Sequence, residues 1–311
     1  RTFKDGCVQS PDWHVLSVAG IDSPFVPQKH WDRMRNGAVT LREWQRRALA
    51  IDVGPEAAVY HCFERKLADG SPGNVRPLPL GAVDVTASEL AAYGRNIGVL
   101  IGHDPGKRQH VSMFLRAYRV PGRDARPRWY VVDEVTSAGT TVNSHAQEVL
   151  RLAREKYGCN TLDWKGRPSE SAPQVLVRID PHTRTGDEHP GRDVYAIWKS
   201  LGMLARAAAY NPSAATPTPA VIKRESRIDL VNTLLCATTA DGEVRRLFIL
   251  CDDAGKVAAP KLLAAFESME KDAAGNPEHE KKDANDLSHW PCALGYALWM
   301  PEHQRAGRVA A

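Results

Sequence analysis

Two aspartates follow apolar runs of the length that forms a strand. Asp104 comes just after the run at 98–102, and Asp180 comes directly after the run at 175–179. A carboxylate at the carboxyl end of a strand projects from the edge of a sheet, so these two side chains converge if their strands are neighbours. Magnesium prefers hard oxygen ligands and keeps several waters, so two or three carboxylates suffice to hold it. Two such ions about 4 Å apart can clamp the attacking and the leaving oxygen of a phosphodiester. An aspartate before a proline, as at Asp104, is also a common turn initiator.

The segment around Asp104 has part of the pattern of a phosphate-binding loop. It reads Gly-His-Asp-Pro-Gly-Lys at 102–107, with Arg108 next. The full pattern needs four residues between the glycines and Ser or Thr after the lysine. Here three residues separate the glycines and an arginine follows. The sequence therefore predicts no ATP-hydrolysing motif in this chain.

Basic residues cluster locally, although the net charge of the chain is only +4. Five arginines lie between positions 33 and 47, and Lys223, Arg224 and Arg227 form a second group. Such clusters can meet the phosphates of a nucleic acid, and a solvated helix face is the alternative. The second group is the better candidate for contact with a DNA backbone, because it precedes a predicted helix next to a proline-rich loop.

Hydrophobic periodicity and turn residues predict the elements that position these side chains. Three consecutive strands with a hairpin-like turn at 121–124 predict an antiparallel group, and the helices and strands that alternate after it predict a mixed sheet with helices on both faces. This is the general plan of RNase H-like folds, so the expected class is α/β, preceded by a smaller, mostly helical leader. The predicted strands are 57–63, 98–102, 111–120, 129–135, 175–179, 203–209 and 246–250, and the predicted helices are 27–36, 41–51, 143–157, 193–201, 225–236, 260–271 and 288–300.

Composition is typical of soluble globular proteins, since 43% of the 311 residues are hydrophobic and 25% are charged. The chain has no apolar run near the ~20 residues that span a membrane and no signal peptide. Its six cysteines are scattered without a CxxC pair, which favours a reducing, cytoplasmic setting over a disulfide framework or a zinc site. Because the chain opens on Arg1 without a methionine, we expect that it was cut from something longer. A change of pattern predicts a leader at 1–92 and a main domain at 93–311.

The order of these motifs resembles the C-terminal nuclease part of the large terminases, the DNA-packaging motors of tailed phages. In that family a strand ends in a Gly-x-Asp-like motif, here at 102–104, and a second strand-end aspartate follows the first long helix, here Asp180. A helix and a glycine come next, here at 194–202. A basic approach then leads into an Arg-Ile...Asn helix, here at 223–232. Specificity comes from the order and spacing of these short motifs.

The resemblance extends to both ends of the chain. The family ends in a His-x-x-Asp-Ala-x-x-Tyr helix, which corresponds to 289–296. Near the start, Asp-Ser-Pro at 22–24 and Val-Tyr-x-x-Phe at 59–63 resemble the tail of the motor domain just before the nuclease. The leader is therefore expected to be the end of a motor domain and its linker.

This resemblance implies an Mg²⁺- or Mn²⁺-dependent endodeoxyribonuclease that uses two ions and cuts concatemeric double-stranded phage DNA during genome packaging. Asp104 and Asp180 would bind the metals, and no covalent enzyme intermediate is needed. The implied partners are double-stranded DNA, the portal protein, the small terminase subunit and further copies of this chain, in the host cytoplasm during phage assembly, with no membrane and no secretion. ATP hydrolysis would reside in a missing N-terminal region or in a separate chain.

One position departs from the family pattern. The family's third metal-binding aspartate falls on Cys292, and a neutral thiol is a poor ligand for magnesium. Asp286 is the nearest substitute, because Pro291 is tolerated only in the first turn of a helix and this leaves Asp286 in the loop that enters it. A helix cap or solvated acid is the equal alternative for Asp286. His289 has the matching family position and is expected to contact the scissile phosphate or the attacking water, with a helix-start hydrogen-bonder as the alternative.

A further acid ends the third predicted strand. Asp133 and Glu134 are adjacent, and neighbouring strand residues point to opposite faces, so at most one of them joins the site. Glu134 resembles an acid common at that family position and is a second-tier candidate for metal binding. Its alternative is an ion pair with a nearby arginine. Four tryptophans, at 129, 198, 290 and 299, are predicted to pack in the core rather than to stack on bases.

Two other functions stay open. The cysteine at 292 would also mark a module that has lost cleavage and only grips DNA or docks on the portal. A third interpretation is another RNase H-like enzyme, such as a recombinase or transposase, against which the motor-like leader argues. In the loop at 181–192, His182, Asp187 and His189 make a metal site conceivable, and a solvated loop is the favoured interpretation.

Overall fold

The computed structural model describes Pro27 and most of residues 58–309. The gaps within that range are 68–69, 95, 107–108, 125, 163–164, 166–168, 170, 181–193, 212–217, 220–221, 237, 240–241, 244, 270 and 272–285. Apart from Pro27, the predicted helices at 27–36 and 41–51, the motif at 22–24, the arginine cluster at 33–47 and the loop at 181–192 lie outside the described residues.

An eight-stranded mixed sheet forms the centre of the fold. Numbered along the chain, its strands are β1 (Val75–Arg76), β2 (Val83–Asp84), β3 (Ile97–Pro105), β4 (Gln109–Arg119), β5 (Arg128–Ala138), β6 (Gln174–Ile179), β7 (Leu204–Ala207) and β8 (Leu247–Leu250). The path through the sheet is β1-β8-β5-β4-β3-β6-β7, and β2 pairs with β4 beside it.

The middle of the sheet follows the predicted order. β3, β4 and β5 are consecutive and antiparallel. β6 then pairs parallel with β3, and β7 parallel with β6. On the other side, β8 pairs parallel with β5. The α/β class with an RNase H-like mixed sheet is therefore confirmed.

Helices cover both faces of this sheet. The six that are described are α1 (Thr86–Glu89), α2 (Val142–Tyr157), α3 (Val194–Ser200), α4 (Arg224–Cys236), α5 (Pro260–Ser268) and α6 (His289–Val309). The helix α2 begins where the Thr141 side chain accepts the Ser144 N–H, and it ends at Gly158 in the left-handed conformation. Buried residues of α2 and α3 pack with alternate residues of β3 and β6 in one core. Because both faces are covered, β3 is buried almost throughout.

The helix α6 packs on the opposite face from α2 and α3, in contact with the backbone of β3. A Cβ added to Gly102 would lie 1.8 Å from the Ala293 carbonyl oxygen and 3.0 Å from the Ala297 Cβ. Only glycine at this position allows the helix to come so close. This contact fixes the height of α6 above the carboxyl end of β3.

The contacts divide the chain into two units at a different place from the predicted boundary. One unit comprises 57–235 and 245–311 and contains the whole sheet. Residues 75–84 belong to it because β1 pairs with β8 and β2 pairs with β4, so the described part of the predicted leader is not mostly helical. The other unit comprises 1–56 and 236–244, of which the structure describes a short hairpin between Thr238–Thr239 and Gly242–Glu243.

Other predictions have mixed outcomes. The strand predicted at 57–63 is wrong, because residues 59–62 form turns whose backbone at Val59 and Cys62 is hydrogen-bonded to the Asn232 side chain on α4. The predicted burial of Trp129, Trp198 and Trp290 is confirmed. The five cysteines in the described part of the chain are free thiols. None of the described helices is long and apolar enough to cross a bilayer.

Candidate functional site

The two predicted aspartates end neighbouring parallel strands. His103 of β3 is paired with Ile179 of β6, so Asp104 and Asp180 are the next residues along each strand. Ile179 lies in the core under α2 and α3, and residues alternate between the faces of a strand. The side chains of both aspartates therefore leave the backbone on the α6 side of the sheet. Their backbones are about one strand spacing, or 4.8 Å, apart.

His289, in the first turn of α6, lies against Asp104, and Asp286, in the loop that enters the helix, lies beside His289. His289 Nδ1 lies 3.1 Å from Asp104 Oδ2, and His289 Nε2 lies 3.9 Å from Asp286 Oδ2. An ionised carboxylate can only accept, so the Nδ1 hydrogen points to Asp104. The second distance is an ion-pair distance when the ring is protonated. Asp286 also accepts the Ser288 N–H at 2.9 Å, so its predicted place in the loop entering the helix is confirmed. The carboxylate that was predicted as a metal ligand is thus the same one that makes a cap-like hydrogen bond at the helix start.

Two glycines make room for this contact, and the sequence analysis, which named Gly102 only as part of the Gly-x-Asp motif, did not predict this role for either. A Cβ on Gly106 would lie 2.6 Å from His289 Cε1, and a Cβ on Gly102 would collide with the backbone of α6. They stand two residues after and two residues before Asp104, and Gly106 comes directly after β3. A glycine on each side of a strand-end acid was therefore the available signal, hidden by the resemblance of 102–107 to a phosphate loop.

Further along α6, one side of the helix faces both aspartates. Cys292 is three residues after His289, and Tyr296 follows four residues later, which places all three on one side of the helix. The Arg227 guanidinium carbon lies 4.3 Å from the centre of the Tyr296 ring. The sequence had placed Arg227 with Lys223 and Arg224 as a group for DNA, but it did not predict this contact with α6.

The electrostatics of Tyr296 show that these groups share one environment. Burial raises the pKa of the Tyr296 hydroxyl far above its usual range, and the negative charge of Asp104 adds to this. Arg227 opposes the rise in pKa, while Cys292 and Asp180 reinforce it. Both strand-end aspartates therefore act on the same phenol. The arrangement gathers oxygen donors suited to a hard cation, an imidazole between two acids, and one fixed positive charge.

Glu134 is not brought to this site. Its carboxylate accepts the Lys261 and Leu262 N–H groups at 2.9 and 3.1 Å, at the start of α5. Burial raises its pKa despite these hydrogen bonds. Met113 of β4 pairs with Gly102 of β3 on one side and with Glu134 of β5 on the other. The backbone of Glu134 is therefore two strand spacings, about 10 Å, from that of Gly102. The structure gives it a different partner from both roles predicted for it.

The basic group around α4 divides by exposure. Lys223 is exposed, and Arg224 and Arg227 are half-buried. Arg224 and Arg227 both act electrostatically on the buried Tyr60, which the sequence analysis named only in the motif at 59–63. The three basic side chains are therefore not one uniform surface.

A buried histidine network lies directly behind Asp104, on the face under α2 and α3. Ser112 Oγ is 3.1 Å from His103 Nδ1 and 2.9 Å from His145 Nε2, and His145 Nδ1 is 2.8 Å from Ser137 Oγ. Burial, followed by the neighbouring His110, lowers the pKa of His145 to about 3. Burial likewise lowers the pKa of His103 well below its usual value. These neutral rings support the strand ends that carry the acids.

Within the described ranges, no group of three or more His, Cys, Asp or Glu side chains is arranged to hold a metal ion. The chain was also compared with known proteins, and no family model, curated protein or solved structure matches it. The geometry of 104, 180, 286, 289 and 292 is therefore what a functional assignment rests on.

Proposed function

We propose that this chain is the nuclease part of a phage packaging motor, a metal-dependent endonuclease that cuts concatemeric double-stranded DNA. The observation that supports it best is the pairing of β3 with β6, which sets Asp104 beside Asp180 under the first turns of α6. His289, at the start of α6, and Asp286, in the loop before it, come to this site from far along the chain. The proposal thus combines strand-end acids with the motif order that resembles the terminases.

The donor chemistry fits Mg²⁺ or Mn²⁺ in part. Asp104 and Asp180 offer the carboxylate oxygens that these ions prefer, and Asp286 is the remaining acid, since Cys292 is a poor ligand for them. When bound, two such ions stabilise the attacking and the leaving oxygen of a phosphodiester. His289 holds Asp104 in place through Nδ1 and presents its other nitrogen toward Asp286. His289 is the group proposed to hydrogen-bond to the scissile phosphate or the attacking water.

The replacement of Asp104 by Asn tests this function. Asp104→Asn keeps the size and one acceptor but removes the charge, so we expect manganese-dependent nicking of supercoiled plasmid to disappear without loss of the fold. Asp253→Asn is the matched control, because Asp253 is exposed and belongs to another part of the chain. If Asp104→Asn nicks as well as the control, the site is misplaced. A manganese soak is expected to give density between Asp104 and Asp180.

Cys292 supports a second candidate, a module that binds DNA or the portal without cleaving. It stands beside Arg227 and Tyr296, where the family has its third acid. The replacement Cys292→Asp separates the two candidates. If the native chain cuts, the nuclease proposal stands; if only Cys292→Asp cuts, the native chain is the binding module.

The remaining parts of the proposal concern the assembly. We propose double-stranded DNA, the portal protein, the small terminase subunit and further copies of this chain as partners, in the host cytoplasm, with ATP hydrolysed by another region or chain. A recombinase or transposase with the same fold is the other alternative. An ATPase in the coding sequence upstream of residue 1 would favour the packaging motor over a recombinase or a transposase.

A further inference from the structure

Arg227 lies against one turn of α6 in a position that leaves it little freedom. Its guanidinium carbon is 4.3 Å from the Tyr296 ring centre, and Tyr296 is also its hydrogen-bond partner. A Cβ on Gly295 would approach the Arg227 Cβ to 3.2 Å and its Cδ to 3.4 Å. The aliphatic stem therefore fills the space above Gly295, and the aromatic face holds the charged end.

The charge held there faces the acidic site. Burial alone would lower the pKa of Arg227, but Cys292, Tyr296 and Asp104 together raise it above its usual value. Arg227 thus keeps its charge in a half-buried position close to Asp104. In this respect it differs from Lys223, which is exposed and keeps the mobility of a surface lysine.

One donor of this guanidinium is left over. The buried Arg227 Nε has no hydrogen-bond partner among the residues that the structure describes. A buried donor without an acceptor costs stability, so an oxygen supplied by a ligand would satisfy it. The planar guanidinium matches a phosphate in two-point geometry, which a lysine cannot reproduce.

From these contacts we infer that Arg227 binds the phosphodiester at the Asp104–Asp180 site itself, held in place by Tyr296 and by the packing of its stem against Gly295. This inference rests on the proposed nuclease function and deepens it. Arg227 is the phosphate-binding residue, and Tyr296 is a positioning residue that acts through it. A group fixed beside the reacting phosphate affects the rate of cutting more than the affinity for DNA.

The test compares rate with affinity in the full chain. The single-turnover rate of plasmid nicking in manganese is measured with saturating protein, and the dissociation constant of a blunt duplex is measured without divalent metal. Arg227→Gln is expected to lower the rate about 100-fold, the usual effect of losing one preorganised donor, while the dissociation constant rises less than tenfold. Arg227→Lys should restore part of the rate, since the charge returns without the two-point geometry.

Two further variants keep the result interpretable. Tyr296→Phe retains the ring and removes only the hydroxyl, so it should fold normally and lower the rate about fivefold, as expected for one lost hydrogen bond, at unchanged duplex affinity. Arg151→Gln is the matched arginine control, since Arg151 is an exposed residue of α2 that pairs with Glu148 and Glu155. It should leave both quantities unchanged.

The outcomes separate this inference from the proposed function. If wild type nicks, Asp104→Asn does not, and Arg227→Gln nicks within threefold of Arg151→Gln, the nuclease stands and the role of Arg227 is overturned. Should Arg227→Gln fail to fold, a wild-type rate for Tyr296→Phe overturns it instead. If wild type does not nick at all, the nuclease proposal fails. The phosphate contact then survives only if Arg227→Gln binds the duplex at least fivefold more weakly than the control.

Discussion

The tight packing of α6 on β3 makes a sharp prediction for Gly102. In Gly102→Ala the new Cβ would stand 1.8 Å from the Ala293 carbonyl oxygen. A carbon and a carbonyl oxygen in ordinary contact are about 3.3 Å apart, so the helix has to retreat by about 1.5 Å. The obstacle is backbone, so no side-chain rotation relieves it.

This displacement reaches both stability and the site. Overpacking of this kind costs about 1–3 kcal/mol of the free energy of unfolding. His289 moves with the helix away from Asp104, and a misplacement of about 1 Å at a catalytic geometry costs about 100-fold in rate. We therefore expect a moderately destabilised protein whose nicking activity falls far more than its folded fraction.

The assay pairs urea unfolding with plasmid nicking at a temperature where the variant is fully folded. Gly94→Ala is the matched control, because its Cβ would meet side-chain atoms and no backbone, the end of Leu204 at 3.1 Å and Ile97 at 3.7 and 3.9 Å. It should be close to wild type in both measurements. If Gly102→Ala matches Gly94→Ala in stability and rate, α6 does not rest on Gly102 and the derived position of His289 is wrong.

Other side chains give independent tests. Glu134→Ala removes the acceptor for two N–H groups of α5, so the free energy of unfolding should fall by about 1 kcal/mol; the proposed nicking per folded molecule should persist, and a loss of nicking would return Glu134 to the proposed metal ligands. For His145 the folded-state pKa is about 3 and the unfolded value is about 6.5, so the unfolded chain takes up the proton first. Stability is full above pH 6.5 and is lost as the pH falls from there toward 3, by up to about 1.4 kcal/mol per pH unit. In His145→Gln, the free energy of unfolding measured in urea should change less steeply with pH than in wild type. An equally steep change would contradict the neutral buried ring.

The central elements could be predicted because their signals are local. Apolar runs bounded by turns give β3 to β6, and the spacing of Ala146, Val149 and Leu150 predicts α2 to within one residue of its observed start. The prediction of a strand at 57–63 relied on the same kind of local signal, a short apolar run, and it is wrong. Its apolar residues are buried by packing and by Asn232 on α4, 173 positions from Val59, rather than by a neighbouring strand.

The boundary at 92 shows a related limit. The strands β1 and β2 have two residues each, too few for periodicity to reveal. They belong to the sheet because β1 pairs with β8 and β2 pairs with β4. Pairings that depend on a partner elsewhere in the chain leave no pattern in the short segment itself.

By itself, the amino-acid sequence determined that two acids end two strands and that Asp286 precedes a helix whose early proline sets its start. It could not decide which acids meet. His289 reaches Asp104 across 185 positions because glycines at 102 and 106 let α6 lie on the sheet. Glu134 goes to α5, and Arg227 goes to Tyr296. The physical reason is that a side chain's partner is chosen by the packing of helices on the sheet, to which residues distant in sequence contribute together.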